Sequence, residues 1–186
     1  MRDQRAEALA KILVRHSTQV AEGDVCVIQS TTTAEPLVQA VYEEVLRAGG
    51  HPVLQLATEG ALAAFYELAS EQQLEWVSPT ARWAAEEADV RIGIMADANP
   101  RELSQVDPKR QAITQKARKP LMETTMRRYA EGDYRWALTL FPTHAYASEA
   151  GMSLAQYEDF YYRACLCDDP DPVGAWARQA DRVKRL

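Results

Sequence analysis

Cysteine, histidine and glycine are all scarce in this 186-residue chain, at three, three and eight copies. Three cysteines cannot all pair with one another, so a disulfide framework is not what holds the fold. His16, His51 and His144 fall in separate segments, and none has a partner at a helical ligand spacing such as HExxH. The segment Gln29 to Glu35, QSTTTAE, holds no glycine. A dinucleotide-binding turn needs glycines to bring the backbone close to a pyrophosphate, so nicotinamide chemistry is disfavoured. No stretch approaches the ~18 uninterrupted apolar residues of a membrane span. The first residues, MRDQRAEALAKILV, form a charged amphipathic run rather than an export signal, which points to the cytoplasm. Lysine and arginine number 21 against 27 aspartates and glutamates, and the net charge of -6 opposes nucleic acid as a partner.

What the chain does have is 47% hydrophobic residues, enough for one soluble domain over residues 1–186 with its own core. Ala6, Leu9, Leu13 and His16 fall on one helical stripe, and Gly23-Asp24 breaks it before the apolar run Val25 to Ile28. Pro36 opens a second helix that aligns Leu37, Val41, Val45 and Ala48 and stops at Gly49-Gly50. Val53 to Leu56 reads as a strand. Helical pattern then runs from Gly60 to about Glu87 with a break at Ser78-Pro79, and Val90 to Met95 and Arg135 to Leu140 read as further strands. Asp107-Pro108 is a cap followed by a first helical position, opening a helix that Pro120 is expected to kink or end. Strands alternating with helices predict a three-layer, Rossmann-like α/β domain with a mainly parallel sheet of at least four strands.

In such a sheet ligands gather beyond the carboxyl ends of the strands. That makes Ser30 to Thr33, with Thr31 and Thr32 at its centre, and Thr143-His144 the candidate substrate-binding positions. Their hydroxyls would hold an anion or cap the next helix, and His144 would serve as a base or ligand only with a positioned partner. The basic run Lys109, Arg110, Lys116, Arg118, Lys119, Arg127 and Arg128 reads as a solvated helix face, a carboxylate receiver or a contact with another domain.

Near the end stands ACLCDDPDP, Ala164 to Pro172, two cysteines followed by three aspartates. Ser153 and Gln156 fit a capping box, and the helix they open carries Leu154, Tyr157, Tyr161 and Cys165 on one stripe. At about 100° per residue Cys167 would point away from that stripe, so the two thiols cannot chelate one ion while helical. They read as structural, with Asp171 and Pro172 starting the last helix. On it Val173, Trp176, Ala177, Ala180 and Val183 form an apolar stripe with no glycine stop before Leu186, as though the helix continued and its face awaited a partner. Self-association as a homo-oligomer through Val173, Trp176 and Ala180 is one outcome of such a face.

The motifs EPLVQAVYEEVLRAGGHPVLQL, SQVDPKRQA, RWALTLFPTHAYASEAGMSLAQYEDFYYRA and DDPDPVGAW, collinear over essentially the whole chain, resemble the N-terminal half of the thermophilic metallo-aminopeptidases. The resemblance implies a peptide hydrolase that removes N-terminal amino acids with two divalent metal ions, cobalt, zinc or similar. It places every metal ligand in a C-terminal metallopeptidase domain, so no catalytic or metal-binding residue is carried over here. In isolation this chain is then expected to be an inactive scaffold that shapes the peptide entrance. The alternative is a stand-alone Rossmann-like module binding a small anion at Ser30 to Thr33 and Thr143-His144.

Overall fold

The computed structural model describes residues 3–185. Four strands, β1 (Val25–Thr31), β2 (His51–Ala57), β3 (Val90–Met95) and β4 (Arg135–Leu140), form one sheet in the order β2-β1-β3-β4, every pair parallel. The predicted three-layer α/β architecture is the one observed. Two of the strands extend beyond their apolar cores, β1 through Thr31 and β2 from His51 to Ala57.

One face of the sheet is closely covered. Helix α1 (Gln4–Lys11) is capped by Asp3 and runs into a π turn over Ile12–Ser17, where Thr18 N donates to Leu13 O five residues back, at 3.0 Å. That wider turn keeps Ile12, Leu13 and Val14 all buried. Helix α2 (Glu35–Arg47) adds Leu37, Val41 and Val45, and ends where Gly49 adopts φ +84°, a conformation that favours glycine. These side chains meet Cys26, Ile28, Val90, Ile92 and Ile94 in the main core.

The other face carries α3 (Ala61–Leu68), α4 (Glu71–Glu75), α5 (Pro79–Glu87) and α6 (Pro108–Glu131). The helical pattern from Gly60 is broken once more than its apolar spacing indicates, because Ser70 and Gln73 form a capping box that starts α4. Helix α6 passes through Pro120 without ending. Proline removes one backbone N–H, but Lys116, whose carbonyl would have received it, is solvent-exposed and water can take that place.

Three short elements close the first face. Helix α7 (His144–Glu149) leads to α8 (Leu154–Ala164) and α9 (Pro172–Val183). Capping by Ser153 and Asp171 follows the sequence expectation. Two expectations are corrected. Leu166 takes φ +58° just after α8, so the chain turns back and buries Cys167 in the core instead of aiming it away. Trp176 is not left uncovered: its ring lies 6.0 Å from that of His16, and its Nε1 donates to Cys165 O at 2.7 Å. Leu186 lies outside the described residues. Among those described, no helix is long and apolar enough to cross a membrane.

Candidate functional site

The strand order reverses between β1 and β3, and the crevice beyond their carboxyl ends is where ligands bind open α/β sheets. Hydroxyl groups span it. Ser30 Oγ donates to Ile94 O at 2.9 Å, Thr31 Oγ1 to Ala96 O at 3.0 Å, and Thr143 Oγ1 to Asp97 O at 2.9 Å. Thr31 and Thr143, two of the four predicted positions, are thereby drawn to successive carbonyls of the segment after β3. Thr143 also caps α7, accepting from Tyr146 N at 3.2 Å. By contrast Thr31 makes no side-chain cap, and Thr33 Oγ1 donates to Glu59 Oε1 at 2.6 Å. Of the predicted positions, Thr32 and His144 are exposed.

Asp97 and Tyr146 belong to this edge and had no sequence motif to mark them. Tyr146 Oη donates to Asp97 Oδ2 at 2.6 Å and accepts from Asp97 N at 3.2 Å. Burial, with that carboxylate beside it, pushes the Tyr146 hydroxyl up to about 12, so it remains a proton donor at neutral pH. Tyr161 Oη meets Thr139 Oγ1 at 2.7 Å and accepts from Leu140 N at 3.1 Å at the end of β4.

A cavity of about 700 Å³ lies between α1, α2 and α8 and reaches the same edge at Glu35, Pro36 and Phe141. Carboxylates are frequent in its wall, and Asp3, Glu43, Glu44 and Glu158 are paired with arginines. Glu44, 4% exposed, is held by Arg15 at 2.7 Å and Arg47 at 3.2 Å. Arg5 binds Asp3 at 3.0 Å and Glu158 at 3.1 Å while lying 4.8 Å above the Tyr162 ring. Its hydrogen bond is the main reason that the Asp3 carboxyl is lowered from its ordinary value.

The thiols behave as core groups. Burial is the chief cause that raises all three, Cys26 and Cys167 to about 12. Part of the basic run is internal as well. Arg110 donates to Tyr66 O and Ala69 O at the end of α3, and Arg128 to Ala85 O at 3.1 Å and Ala88 O at 2.8 Å at the end of α5. Among the described residues, no group of three or more histidine, cysteine, aspartate or glutamate side chains is placed to hold a metal ion.

Comparison with known proteins adds three findings. The sequence is similar to Aminopeptidase 2 of Geobacillus stearothermophilus, 23% identical over 194 residues, which span 99% of this chain and 47% of that protein. Its fold is similar to that of wild-type AmpT from Thermus thermophilus, with a TM-score of 0.72 at 18% identity over 94% of this chain and 45% of that one. The chain thus spans about half the length of both. The sequence model of the family described as "Thermophilic metalloprotease (M29)" matches residues 2–186, and the chain belongs to that family.

Proposed function

We propose that this chain is the N-terminal scaffold of a metal-dependent aminopeptidase, forming one wall of the peptide entrance, with the metal-binding residues supplied by a C-terminal domain. The observation that carries the reading is the family match across residues 2–186 in a chain about half as long as its relatives. Such hydrolysis uses metal ions to polarise a carbonyl and to lower the pKa of a bound water, and each ion needs several convergent ligands. The described residues offer no such set, so this chain's share is structural: a rigid sheet edge at Thr31, Asp97, Thr143 and Tyr146 against which a second domain and a peptide are positioned. In this reading the protein works in the cytoplasm, with a peptide as substrate.

The test is to incubate the purified chain with leucine or phenylalanine p-nitroanilide, with and without cobalt, zinc or manganese. No chelator-sensitive turnover is expected. Turnover that follows the protein through purification and disappears in His144→Ala would overturn the scaffold reading. Reading the encoding DNA past Leu186 is the complementary check, with glutamate- and histidine-bearing metal motifs in frame as the expected result.

A further inference from the structure

The second face of the sheet carries polar residues where a three-layer fold ordinarily places apolar ones under its helices. Arg91 Nη2 donates to Gln29 Oε1, and Gln29 Nε2 reaches Gln55 Oε1 at 3.5 Å. Register makes Gln29 the neighbour of both Gln55 and Gly93, so this row of side chains crosses three strands at the middle of the sheet. Helices α5 and α6 do not close over it. They leave a cleft of about 350 Å³ lined by Arg91 and by Arg118 of α6.

We propose that this cleft binds a small carboxylic acid with an apolar body, its carboxylate between Arg91 and Arg118 and its hydrocarbon part against α5 and α6. Three observations converge. First, the lining contains two arginines and no aspartate or glutamate, so the site is cationic in a protein of net charge -6. Second, the cleft holds donors without a protein acceptor. The two Gln Oε1 atoms already receive hydrogen bonds, whereas Arg118 makes none within the described residues, and the Gln55 amide N–H groups are available. A planar guanidinium paired with a carboxylate forms two parallel hydrogen bonds, which makes a carboxylate a better match than a compact cation or a neutral group. Third, most of the remaining wall is apolar, with Val27 and Ala85 on one side and Leu121, Met122 and Met126 along α6, and only the Thr125 and Tyr134 hydroxyls interrupt it. Methionines adapt to irregular apolar shapes, and a wall of this kind with a few convergent polar groups is the usual make-up of a small-molecule pocket.

The site shares no lining residue with the crevice at Thr31 and Thr143 and does not depend on the aminopeptidase reading. Its test reads binding rather than turnover: titration of the ¹⁵N-labelled protein with hexanoate, 1-hexanol and inorganic phosphate, followed by amide shifts. Hexanoate is expected to give saturable shifts at residues 27, 29, 55, 91 and 118–126. Hexanol and phosphate should each bind at least tenfold more weakly, because each supplies only half of the match. Arg118→Gln, an exposed position that the fold does not use, is expected to weaken hexanoate about tenfold. Lys119→Gln, which removes the same charge one residue along, should leave it unchanged. Equal binding of hexanol, unchanged hexanoate affinity in Arg118→Gln, or equal losses in both variants would overturn the proposal.

Discussion

The two faces of the sheet are built from the same four strands and are packed very differently. On the first, Cys26, Ile28, Val90, Ile92 and Ile94 are all buried under α1, the π turn and α2. On the second, Val27 and Gly93 are buried, but Gln29, Arg91, Met95, Trp136 and Leu138 are exposed, Leu138 to 55%. Gly93 belongs to this difference: a Cβ there would lie 2.9 Å from Leu138 Cδ1, so the open face still depends on close approach at its centre. One face therefore supplies the stability of the domain. The other retains groups whose burial would be costly without a partner, which is where recognition is to be sought.

The largest expected effect sharpens that contrast. Ile28→Ala removes a fully buried side chain from the first face and should cost roughly 2–5 kcal/mol, since the cavity cannot collapse completely. Leu138→Ala, on the second face, should cost less than about 1 kcal/mol because much of the side chain is already in water. Urea unfolding of both variants measures the difference through the midpoint at constant slope. Equal losses would mean that the second face is as much a core as the first.

An intermediate effect concerns what secures the second layer. Arg128 ties α6 to the last carbonyls of α5 and lies 5.7 Å from the Tyr134 ring centre. Arg128→Ala is expected to cost about 1–3 kcal/mol, because charge-assisted hydrogen bonds to helix-end carbonyls are lost. Among the described residues its neighbour Arg127 pairs only with exposed Glu131 at 3.4 Å, and Arg127→Ala should cost at most about 0.5 kcal/mol. Thermal denaturation of the two variants side by side tests whether the basic run has these two distinct functions.

Much of this fold was legible in the sequence, and the failures share a cause. Strands β3 and β4 were read to their ends because apolar runs bounded by turn residues mark a parallel strand well. The break before α4 was equally legible, since Ser70 and Gln73 carry the capping-box spacing, but the apolar pattern on either side obscured it. Leu166 takes the left-handed position of a Schellman cap, its N donating to Arg163 O and Cys167 N to Tyr162 O, both at 2.9 Å, but the glycine that ordinarily marks such a cap is missing from the sequence here. Other features depended on tertiary contacts that spacing cannot encode. The threonine hydroxyls at the end of β1 and beyond β4 could cap a helix, bind a ligand or bond to a carbonyl. Ala96 and Asp97, which receive two of those protons, are 65 and 46 residues away in sequence. The Arg91-Gln29-Gln55 row was hidden for the same reason, as its members lie on three separate strands.

The smallest effect concerns the thiols, all of which belong to the first face. Cys26 is fully buried, and its thiol is raised to about 12 from an ordinary value of 9.0, chiefly by burial and secondarily by the charge of Asp24. Because the folded value lies above the unfolded one, the neutral thiol's contribution is complete below pH 9 and is lost as pH rises from 9 towards 12. At pH 9 half of the unfolded chains would already carry a Cys26 thiolate, so the loss there is only about 0.4 kcal/mol. Wild type should therefore lose a little more stability than Cys26→Ala between pH 8 and pH 9.5, although the variant starts lower because it leaves a cavity. Alkylation gives the kinetic counterpart. Iodoacetamide reacts with thiolates, so at pH 8 half-buried Cys165 should be modified first, with Cys26 and Cys167 protected until the chain unfolds. Rapid modification of Cys26 in the native protein would show that the first face opens readily, and the contrast between the two faces would then be one of appearance rather than of stability.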